Sequence, residues 1–478
     1  MKKIAVKIVR RLQAAGFSAF WVGGCVRDFL LGREPGDFDI ATDAKPEQVE
    51  KLFPKTIAVG KKFGVVVVIV NKLQFQIATF RAEADYRDGR RPATVHFASA
   101  QADTLRRDFT VNGLFYDPTS KQIHDWVGGE RDLRAKIIRT IGEPEERFGE
   151  DHLRMLRAIR FAAQLNFEIE PKTFAAIQNL APKIKLISAE RVRDELLKLF
   201  APPSAGFSLS SAGGEGWGEE ADVSKTQNPS PQPSPRLGGA RKKNSSAARG
   251  LVLLRDSKLL EQILPELAAT IDCEQSPVFH PEGSVFNHIK LMLAHLSPGA
   301  NPLLPWAVLL HDIAKPVTAE KDLATGSIHF YGHEKIGAEM AGQILRRLRF
   351  PKKPTEEIVA CVKHHMQFKD VKQMRKATLR RLLLRETFPL ELELHKLDCL
   401  GSHNSLEHYE FLVVQAGALK HQPAIRPPLL TGDDLIALGI KPGKTLGELL
   451  REIRELQLAD ELKTKREAKA WVKGKLTS

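Results

Sequence analysis

Asp37 and Asp39 form an Asp-X-Asp pair near the N-terminus. They lie in the segment DFDIAT, which predicts a β-strand, and the period-two geometry of a strand places both carboxylates on one face of the sheet. Such a pair can hold two magnesium ions, one activating an attacking 3′-hydroxyl and the other neutralising a leaving pyrophosphate. A bare Asp-X-Asp is more often a solvated turn, so the neighbouring residues decide between the two interpretations.

A glycine doublet, Gly23 and Gly24, lies between the predicted strand FSAFWV and a helix predicted to start near Cys25. Because glycine has no side chain, two backbone N–H groups can approach a triphosphate at this point. Arg27 adds a positive charge on the predicted helix. The segment therefore predicts phosphate binding, although a glycine doublet alone is a weak signal.

Asp151 and Arg154 stand three residues apart in the predicted helix EDHLRMLRAIRFAAQL, so we expect them on one helix face. A carboxylate acceptor beside a guanidinium donor matches the edge of cytosine and that of adenine, whereas guanine and uracil present the reverse order. A wrong base would leave buried polar groups unpaired. The pair predicts selection of C and A nucleotides; an exposed salt bridge is the alternative interpretation.

The segment GGCVRDFLLGREPGDFDIAT resembles the class II tRNA nucleotidyltransferases and bacterial poly(A) polymerases, of the DNA polymerase beta nucleotidyltransferase superfamily. The blocks ATFRAEADYRDGRRP, LRRDFTVNGLFYDP, EDHLRMLRAIRFAA and ERVRDELLK follow in the family's order, so the resemblance runs from about residue 17 to residue 200. It implies a catalytic, magnesium-binding role for Asp37 and Asp39. It also implies a nucleotide-binding set, namely Gly23, Gly24, Arg27, Arg90, Arg91, Arg107, Asp108, Asn112, Asp151, Arg154 and Arg157.

The chain departs from this family pattern at two positions. Members commonly carry a Glu before the ATFR-like block as a third carboxylate, whereas this chain has Gln76. The ribose-contacting block usually ends in Asp, and here Ala93 stands in its place. Either change can lower activity or alter metal dependence, but neither changes the Asp37 and Asp39 pair.

The segment LLHDIAKP, with His311 and Asp312, resembles the HD-domain phosphohydrolases, in which adjacent His and Asp on a helix join a distant His and Asp around a divalent metal. Imidazole and carboxylate ligands suit a transition metal such as manganese, nickel or iron. The resemblance implies a ligand set of His288, His311, Asp312, His333, His364 and Asp398.

Composition narrows the class of protein. The formal net charge of +14 favours a polyanionic partner, because each neutralised phosphate releases counterions. The four cysteines have no Cys-X-X-Cys spacing, which favours reduced thiols and the cytosol. No run of about 18 apolar residues occurs, so we expect no membrane span.

The pattern of predicted strands and helices, which must position these residues, indicates an α+β fold. A small mixed-sheet nucleotidyltransferase head is expected over residues 1–145, with VVVVIV and FQIATF as a hairpin, and helical domains follow it. The expected domains after the head are a helical nucleotide-recognition and RNA-binding neck at 146–201, a disordered Gly/Ser/Pro-rich insert at 202–250, a helical HD domain at 251–410, and a helical RNA-binding tail at 411–478.

The resemblance predicts a cytoplasmic enzyme that adds C and A from CTP and ATP to the 3′ end of tRNA. A poly(A) polymerase shares every catalytic motif, and an enzyme restricted to adding CC or the final A is a further alternative. An alternative from another class is an HD metal phosphohydrolase whose head is an inactive RNA-binding module, which Gln76 and Ala93 would explain. The sequence makes no prediction of the oligomeric state.

Overall fold

A computed structural model describes residues 1–57, 64–86, 92–203, 245–276, 280–322, 324, 327–420 and 427–477. The chain forms two compact units, one of Met1–Ala268 with Leu296–Ala300 and the other of Ala269–His295 with Asn301–Ser478. The predictions for Arg90 and Arg91, and for most of the Gly/Ser/Pro-rich insert, lie outside the described residues.

A mixed seven-stranded sheet is the centre of the first unit, with strand order β3-β4-β5-β2-β1-β8-β9. β2 pairs with β5 in parallel and with β1 in antiparallel fashion. The strands of this unit are β1 (Ala19–Val22), β2 (Ile40–Thr42), β3 (Thr56–Ile57), β4 (Val65–Val70), β5 (Leu73–Thr79), β6 (Arg81–Tyr86), β7 (Pro92–Phe97), β8 (Phe115–Asp117), β9 (Gln122–His124), β10 (Ile137–Ile138) and β11 (Glu168–Ile169).

The predicted hairpin of VVVVIV and FQIATF is confirmed as β4 and β5. Asn71 and Lys72 form its turn, and both have positive φ, as the tight turns that suit a twisted hairpin require. Only one face of β5 is buried, with Phe75, Ile77 and Thr79 in the core. The hairpin therefore presents its other face to the side of the sheet where Asp37 and Asp39 are expected.

The helices of the first unit pack around this sheet and continue beyond it as the neck. A two-residue parallel pairing joins β10, in the range of the head, to β11, in the range of the neck. The helices are α1 (Lys2–Ala14), α2 (Gly24–Leu30), α3 (Pro46–Leu52), α4 (Ala100–Leu105), α5 (Gly129–Ala135), α6 (Pro144–Glu150), α7 (Leu153–Leu165), α8 (Pro171–Leu180), α9 (Ala189–Leu199), α10 (Ser246–Asp256), α11 (Leu259–Ile263) and α12 (Pro265–Ala268).

In its described residues, the second unit is helical apart from an antiparallel pair of short strands, β12 (Ala319–Lys321) and β13 (Ile328–Phe330). Within the described ranges, no helix is long and apolar enough to cross a membrane. The helices are α13 (Val285–Ala294), α14 (Leu304–Leu310), α15 (Lys315–Thr318), α16 (His333–Arg347), α17 (Lys352–His364), α18 (Lys376–Leu383), α19 (Phe388–Gly401), α20 (Glu407–Lys420), α21 (Gly432–Ile436), α22 (Lys444–Leu458) and α23 (Lys465–Thr477).

Candidate functional site

Asp37 and Asp39, here called the carboxylate pair, lie just before β2 and not within it, so the predicted strand starts three residues too early. The Val22 N–H still donates to the Asp39 carbonyl at 3.1 Å, which continues the ladder between β1 and the start of β2. Phe38 is buried, with its ring 4.7 Å from that of Trp21. Because neighbouring side chains of an extended segment alternate, both half-buried carboxylates lie on the face opposite Phe38, as predicted.

The electrostatics of the carboxylate pair favour a bound cation. Burial and, to a lesser extent, the neighbouring Asp37 carboxylate raise the pKa of Asp39 to about 7, although the Arg107 guanidinium opposes both effects. Two like charges held together at a half-buried position repel each other, and a divalent cation relieves that repulsion. Carboxylate oxygens are also the ligands that magnesium prefers, so these residues fit the ion that the family implies.

Magnesium binding at the carboxylate pair is expected to strengthen with pH. The fold raises the pKa of Asp39 from 3.8 to about 7, so without metal the folded protein is more stable when Asp39 is protonated than when it is ionised. This contribution to the stability is lost as the pH rises through about 7. Metal binding needs the ionised carboxylate. We therefore expect magnesium to raise Tm more at about pH 8 than at about pH 6, measured by differential scanning fluorimetry.

The control for this experiment is Asp39→Asn, which removes the titrating carboxylate at nearly constant volume. In this variant, the magnesium-induced change in Tm should no longer grow with pH. An equal magnesium effect at both pH values in the unaltered protein would contradict the assignment.

Gln76 occupies the position on β5 beside Asp39. Ile40 of β2 aligns with Ile77 of β5 in a parallel register, so the residues that precede them, Asp39 and Gln76, are also neighbours. Gln76 is exposed on the face that carries the carboxylate pair. It can therefore offer a neutral amide oxygen at this point, but no third negative charge. The backbone of Ala93 lies in β7, and its side chain is outside the described part of the structure.

The glycine doublet forms the turn between β1 and α2. Gly23 has a φ of 71°, a conformation that favours glycine, and its N–H donates to the Leu114 carbonyl at 3.2 Å. Gly23 therefore supplies the shape of the turn, and its N–H is already used within the sheet. The prediction that both glycine N–H groups are free to bind phosphate is wrong for Gly23.

The predicted nucleotide-binding residues Arg27, Asn112, Asp108 and Arg157 form one buried chain of hydrogen bonds. Arg27 is fully buried and donates to Asp28 at 2.9 Å and to Asn112 at 2.7 Å. Asn112 donates to Asp108 at 3.2 Å, and Arg157 of α7 donates to Asp108 at 2.8 and 2.6 Å. Burial raises the pKa of Asp108, but Arg157 and these hydrogen bonds lower it to about 2. The structure thus places these four side chains together, where they join the head to the neck.

Arg107 precedes Asp108 in the sequence and has a different carboxylate partner. Its guanidinium donates to the buried Asp103 at 3.0 Å and lies 5.0 Å from the Phe115 ring centre. The same guanidinium opposes the raised pKa of Asp39, so its charge acts on the carboxylate pair.

The predicted base-reading residues lie on different elements, because Asp151 precedes α7 and Arg154 lies within it. The prediction that one helix holds both is wrong, and the reason is local: Asp151 has an extended backbone, and its carboxylate accepts from the Leu153 N–H at 3.1 Å in a turn that separates α6 from α7. Arg191 of α9 donates to both Asp151 oxygens at 3.2 and 2.7 Å, a contact that no spacing in the sequence indicates.

The second unit brings most of the predicted metal ligands together. His288, His311 and Asp398 offer ligand atoms within 4.8 Å of one another, and so do Asp312, His333 and His365. His280, Glu282 and His288 form a third such group among the described residues. We call the first two groups together the HD cluster, which consists of His288, His311, Asp312, His333, His365 and Asp398.

The orientation of the imidazoles in the HD cluster fits a metal. The Nδ1 atoms of His311, His333 and His365 lie 2.7–2.9 Å from backbone carbonyls, so each donates a proton there and leaves Nε2 as an acceptor. The Nε2 atoms of His333 and His365 then face each other at 3.2 Å. Burial lowers the pKa of His365 to about 3, so this imidazole is neutral, as a metal ligand must be.

The sequence indicated the wrong member of an adjacent histidine pair. His364 lies at the end of α17, with Nδ1 3.2 Å from Glu391, whereas its neighbour His365 is in the HD cluster. Buried residues on α17 recur at Ile358, Cys361 and Val362, and His365 continues this stripe at helix spacing. That stripe was the signal that could have identified His365. His311 and Asp312 also differ from the prediction, since they follow the end of α14 and do not lie within a helix.

Two further residues near the HD cluster were absent from the predicted ligand set. Glu282 is buried and lies 2.8 Å from Nδ1 of His288, so it orients that ring as a carboxylate partner. Lys315 lies 2.8 Å from Asp312 and donates to Gln275 at 2.6 Å.

Three protein families match the chain. Residues 19–139 match the family described as Poly A polymerase head domain, and residues 284–399 match the HD domain. Residues 166–210 match the family described as Probable RNA and SrmB- binding site of polymerase A.

Curated relatives and solved structures agree with these families. The chain is 46% identical over 209 residues to a CCA-adding enzyme of Bacillus licheniformis and 47% identical over 206 residues to one of Geobacillus stearothermophilus. Each match covers about two fifths of this chain, 44% and 43%, and the chain spans about half the length of these relatives, 52% and 51%.

A structure of the Bacillus stearothermophilus CCA-adding enzyme in complex with CTP superimposes with a TM-score of 0.70 at 26% identity, over 99% of this chain and 97% of that one. A Thermotoga maritima CCA-adding enzyme complexed with tRNA shares the fold, with a TM-score of 0.54 at 17% identity over 99% and 95% of the two chains. The chain therefore matches a Poly A polymerase head domain, an RNA-binding segment of polymerase A and an HD domain in this order, and it is similar to CCA-adding enzymes in sequence over about half of their length and in fold over nearly all of it.

Proposed function

We propose that this protein adds C and A from CTP and ATP to the 3′ end of tRNA. The observation that carries the proposal is the carboxylate pair, held on one face of the sheet beside the turn at Gly23 in a fold shared with CCA-adding enzymes. The relatives are named CCA-adding enzymes, which favours this function over poly(A) synthesis or partial CC or A addition. The net charge of +14 supports a polyanionic RNA partner.

The residues of the head and neck divide the work of this reaction. Asp37 and Asp39 would hold divalent ions, which when bound activate the attacking hydroxyl and neutralise the leaving group. Arg107 places a positive charge beside the pair, where a triphosphate needs one. Asp151 and Arg154 supply the acceptor and the donor for a base edge. The buried chain through Asn112 and Asp108 holds the head and the neck in register.

The direct test is incubation of the full chain with tRNA that lacks its 3′ CCA, using each labelled NTP in turn. Incorporation of C and then A, ending after three nucleotides, is the expected result. A long run of A would favour a poly(A) polymerase, and addition of only CC or only the final A would indicate a restricted enzyme. No incorporation of any NTP would refute the proposal.

Asp151→Ala is expected to relax nucleotide choice, because the acceptor for the base amino group disappears. The preference for CTP and ATP over UTP and GTP should fall by roughly 10-fold to 100-fold, measured as ratios of kcat/KM. The matched control is Asp194→Ala on α9, a carboxylate that is 51% exposed and pairs with neighbouring Arg193. Unchanged selectivity in Asp151→Ala would show that other residues read the base.

We further propose that the HD cluster binds a divalent transition metal and hydrolyses phosphate esters. The facing Nε2 atoms of His333 and His365 support this function, because two acceptors at 3.2 Å need a cation or a proton between them. Imidazole ligands favour manganese, nickel or iron over magnesium. The bound metal would supply an activated water, and the imidazoles, fixed by their backbone contacts, would hold the metal in place.

We predict that the protein acts in the cytosol. This prediction rests on the cysteine pattern and on the tRNA substrate proposed here.

A further inference from the structure

Arg147 of α6 ties the neck to the backbone of the head at Arg106 and Arg107. Its Nη2 donates to the carbonyl oxygens of Arg106 and Arg107 at 2.6 and 2.8 Å. The side chain is only 11% exposed, so these contacts are shielded from water. The residue after Arg107 is Asp108, which accepts from Asn112 at 3.2 Å, and Asn112 accepts from Arg27 at 2.7 Å. The backbone that Arg147 holds is therefore joined to α2, the helix that follows the turn at Gly23.

The Arg147 guanidinium also contacts the segment that would read the base. Its Nη1 donates to both carboxylate oxygens of Glu150, at 2.7 and 2.5 Å. Glu150 pairs in turn with Arg154. Arg154 donates to the Arg147 carbonyl at 2.8 Å, and its Nη2 lies 3.4 Å from the Arg106 carbonyl. The Arg106 carbonyl, Arg147, Glu150 and Arg154 are therefore linked by direct contacts into one network.

We propose that Arg147 is a positioning residue that makes phosphoryl transfer depend on the base bound at Asp151 and Arg154. This inference rests on the function proposed above. A wrong base leaves Arg154 without its acceptor, and Arg154 then shifts toward other partners. Since Glu150 and Arg147 contact each other and Arg154, that shift moves the peptide at Arg107. Through the neighbouring Asp108, it also disturbs the hydrogen-bond chain that holds α2 after the turn at Gly23. A displacement of about 1 Å is enough to slow a reaction roughly 100-fold.

Arginine is required for this role by its shape. Its planar guanidinium offers five N–H donors in a fixed arrangement, whereas lysine carries one compact ammonium. A lysine at position 147 keeps the charge, but it cannot bind Glu150 and both carbonyls at once. Arg147→Lys therefore separates the geometry of the contact from its charge.

The experiment compares Arg147→Lys with the unaltered chain in single-turnover addition to tRNA lacking CCA, with CTP and with UTP. We expect kcat for CTP to fall about tenfold, with a smaller fall for UTP, so the CTP to UTP ratio drops several-fold. KM for CTP and Kd for tRNA should stay within about twofold, because Arg147 touches neither. A residue with a merely structural role would lower both rates equally.

Glu150→Gln and the double variant measure the coupling. If both residues act through one path, the double variant loses no more selectivity than the more affected single variant, whereas additive losses would overturn the inference. Glu150→Gln alone also gives the answer if Arg147→Lys does not fold by circular dichroism, and an unchanged CTP to UTP ratio then overturns the inference.

The matched control is Arg134→Lys on α5, whose side chain is 80% exposed. It should match the unaltered chain in every measurement. If the control incorporates nucleotides and Arg147→Lys keeps the same CTP to UTP ratio, the inference is wrong while the proposed function stands. If neither the control nor the unaltered chain incorporates any nucleotide, the proposed function fails and the inference fails with it.

Discussion

Asp37→Ala and Asp39→Ala are each expected to abolish nucleotide incorporation while leaving tRNA affinity within about twofold. Each variant removes a carboxylate that would hold the divalent ions, and a bound metal contributes several kcal/mol to the transition state, or roughly 100-fold and more in rate. We expect RNA affinity to depend instead on basic residues elsewhere in the chain, whose net charge is +14. Single-turnover incorporation and filter binding of tRNA measure the two effects separately.

Asp256→Ala is a suitable control, because this carboxylate at the end of α10 is 43% exposed and pairs with neighbouring Arg255. It should retain incorporation. Substantial incorporation by both Asp37→Ala and Asp39→Ala would exclude the carboxylate pair as the metal site. Loss of tRNA binding together with loss of activity would instead indicate damage to the head.

The head was predictable because its signals are local. The run VVVVIV and the turn at Asn71 and Lys72 specify the β4-β5 hairpin, and the alternation around Phe38 places both carboxylates on one face. The start of β2 was predicted less well, since a strand begins where it finds a partner. The β2–β5 pairing begins at Ile40, and in the segment before it the Asp39 carbonyl accepts from the Val22 N–H of β1.

The base-reading contacts were not predictable, because they depend on long-range partners. Arg191 is 40 residues from Asp151 in the chain, yet it binds both of that residue's carboxylate oxygens. The same holds for Arg147 and the Arg106 carbonyl, which are 41 residues apart. Helix spacing describes one helix at a time, so it cannot show which carboxylate a distant arginine will meet.

The choice between His364 and His365 was a different kind of error. Adjacent residues on a helix differ in direction by about 100°, so only one of the two can face the HD cluster. Residue types do not distinguish them, but the buried stripe of α17 does. Position relative to the core is therefore the better guide wherever two candidate ligands stand side by side.

Gln76 bears on the alternative in which the head only binds RNA. Its place beside Asp39 means that the site offers two negative charges and a neutral oxygen on this face. Two carboxylates are sufficient ligands for magnesium when substrate phosphates supply the rest. A loss of nucleotide incorporation in Asp37→Ala would show that the head is active. An inactive head would show no incorporation even in the unaltered chain.

The His311→Ala, Asp312→Ala double variant is expected to lose hydrolysis of phosphomonoesters and 2′,3′-cyclic phosphates while keeping nucleotide addition. Each of the two groups within the HD cluster loses one ligand, so the metal is no longer held. Nucleotide addition is spared, because oxygen-bound magnesium at the carboxylate pair needs neither residue. Elemental analysis of the purified protein should show transition metal in the unaltered chain and little in the variant.

Two variants make this result interpretable. Asp312→Ala leaves the buried Lys315 without the carboxylate at 2.8 Å, which can destabilise the second unit, so Asp312→Asn provides a milder loss of the ligand charge. His329→Ala on β13 is the control, because this half-buried ring stacks on Tyr331 outside the HD cluster and should leave both activities intact.

If the double variant loses nucleotide addition with its fold intact by circular dichroism, the HD region positions tRNA. If the unaltered chain binds no transition metal and hydrolyses neither substrate, the HD cluster is only structural, and the facing Nε2 atoms of His333 and His365 are bridged by a proton.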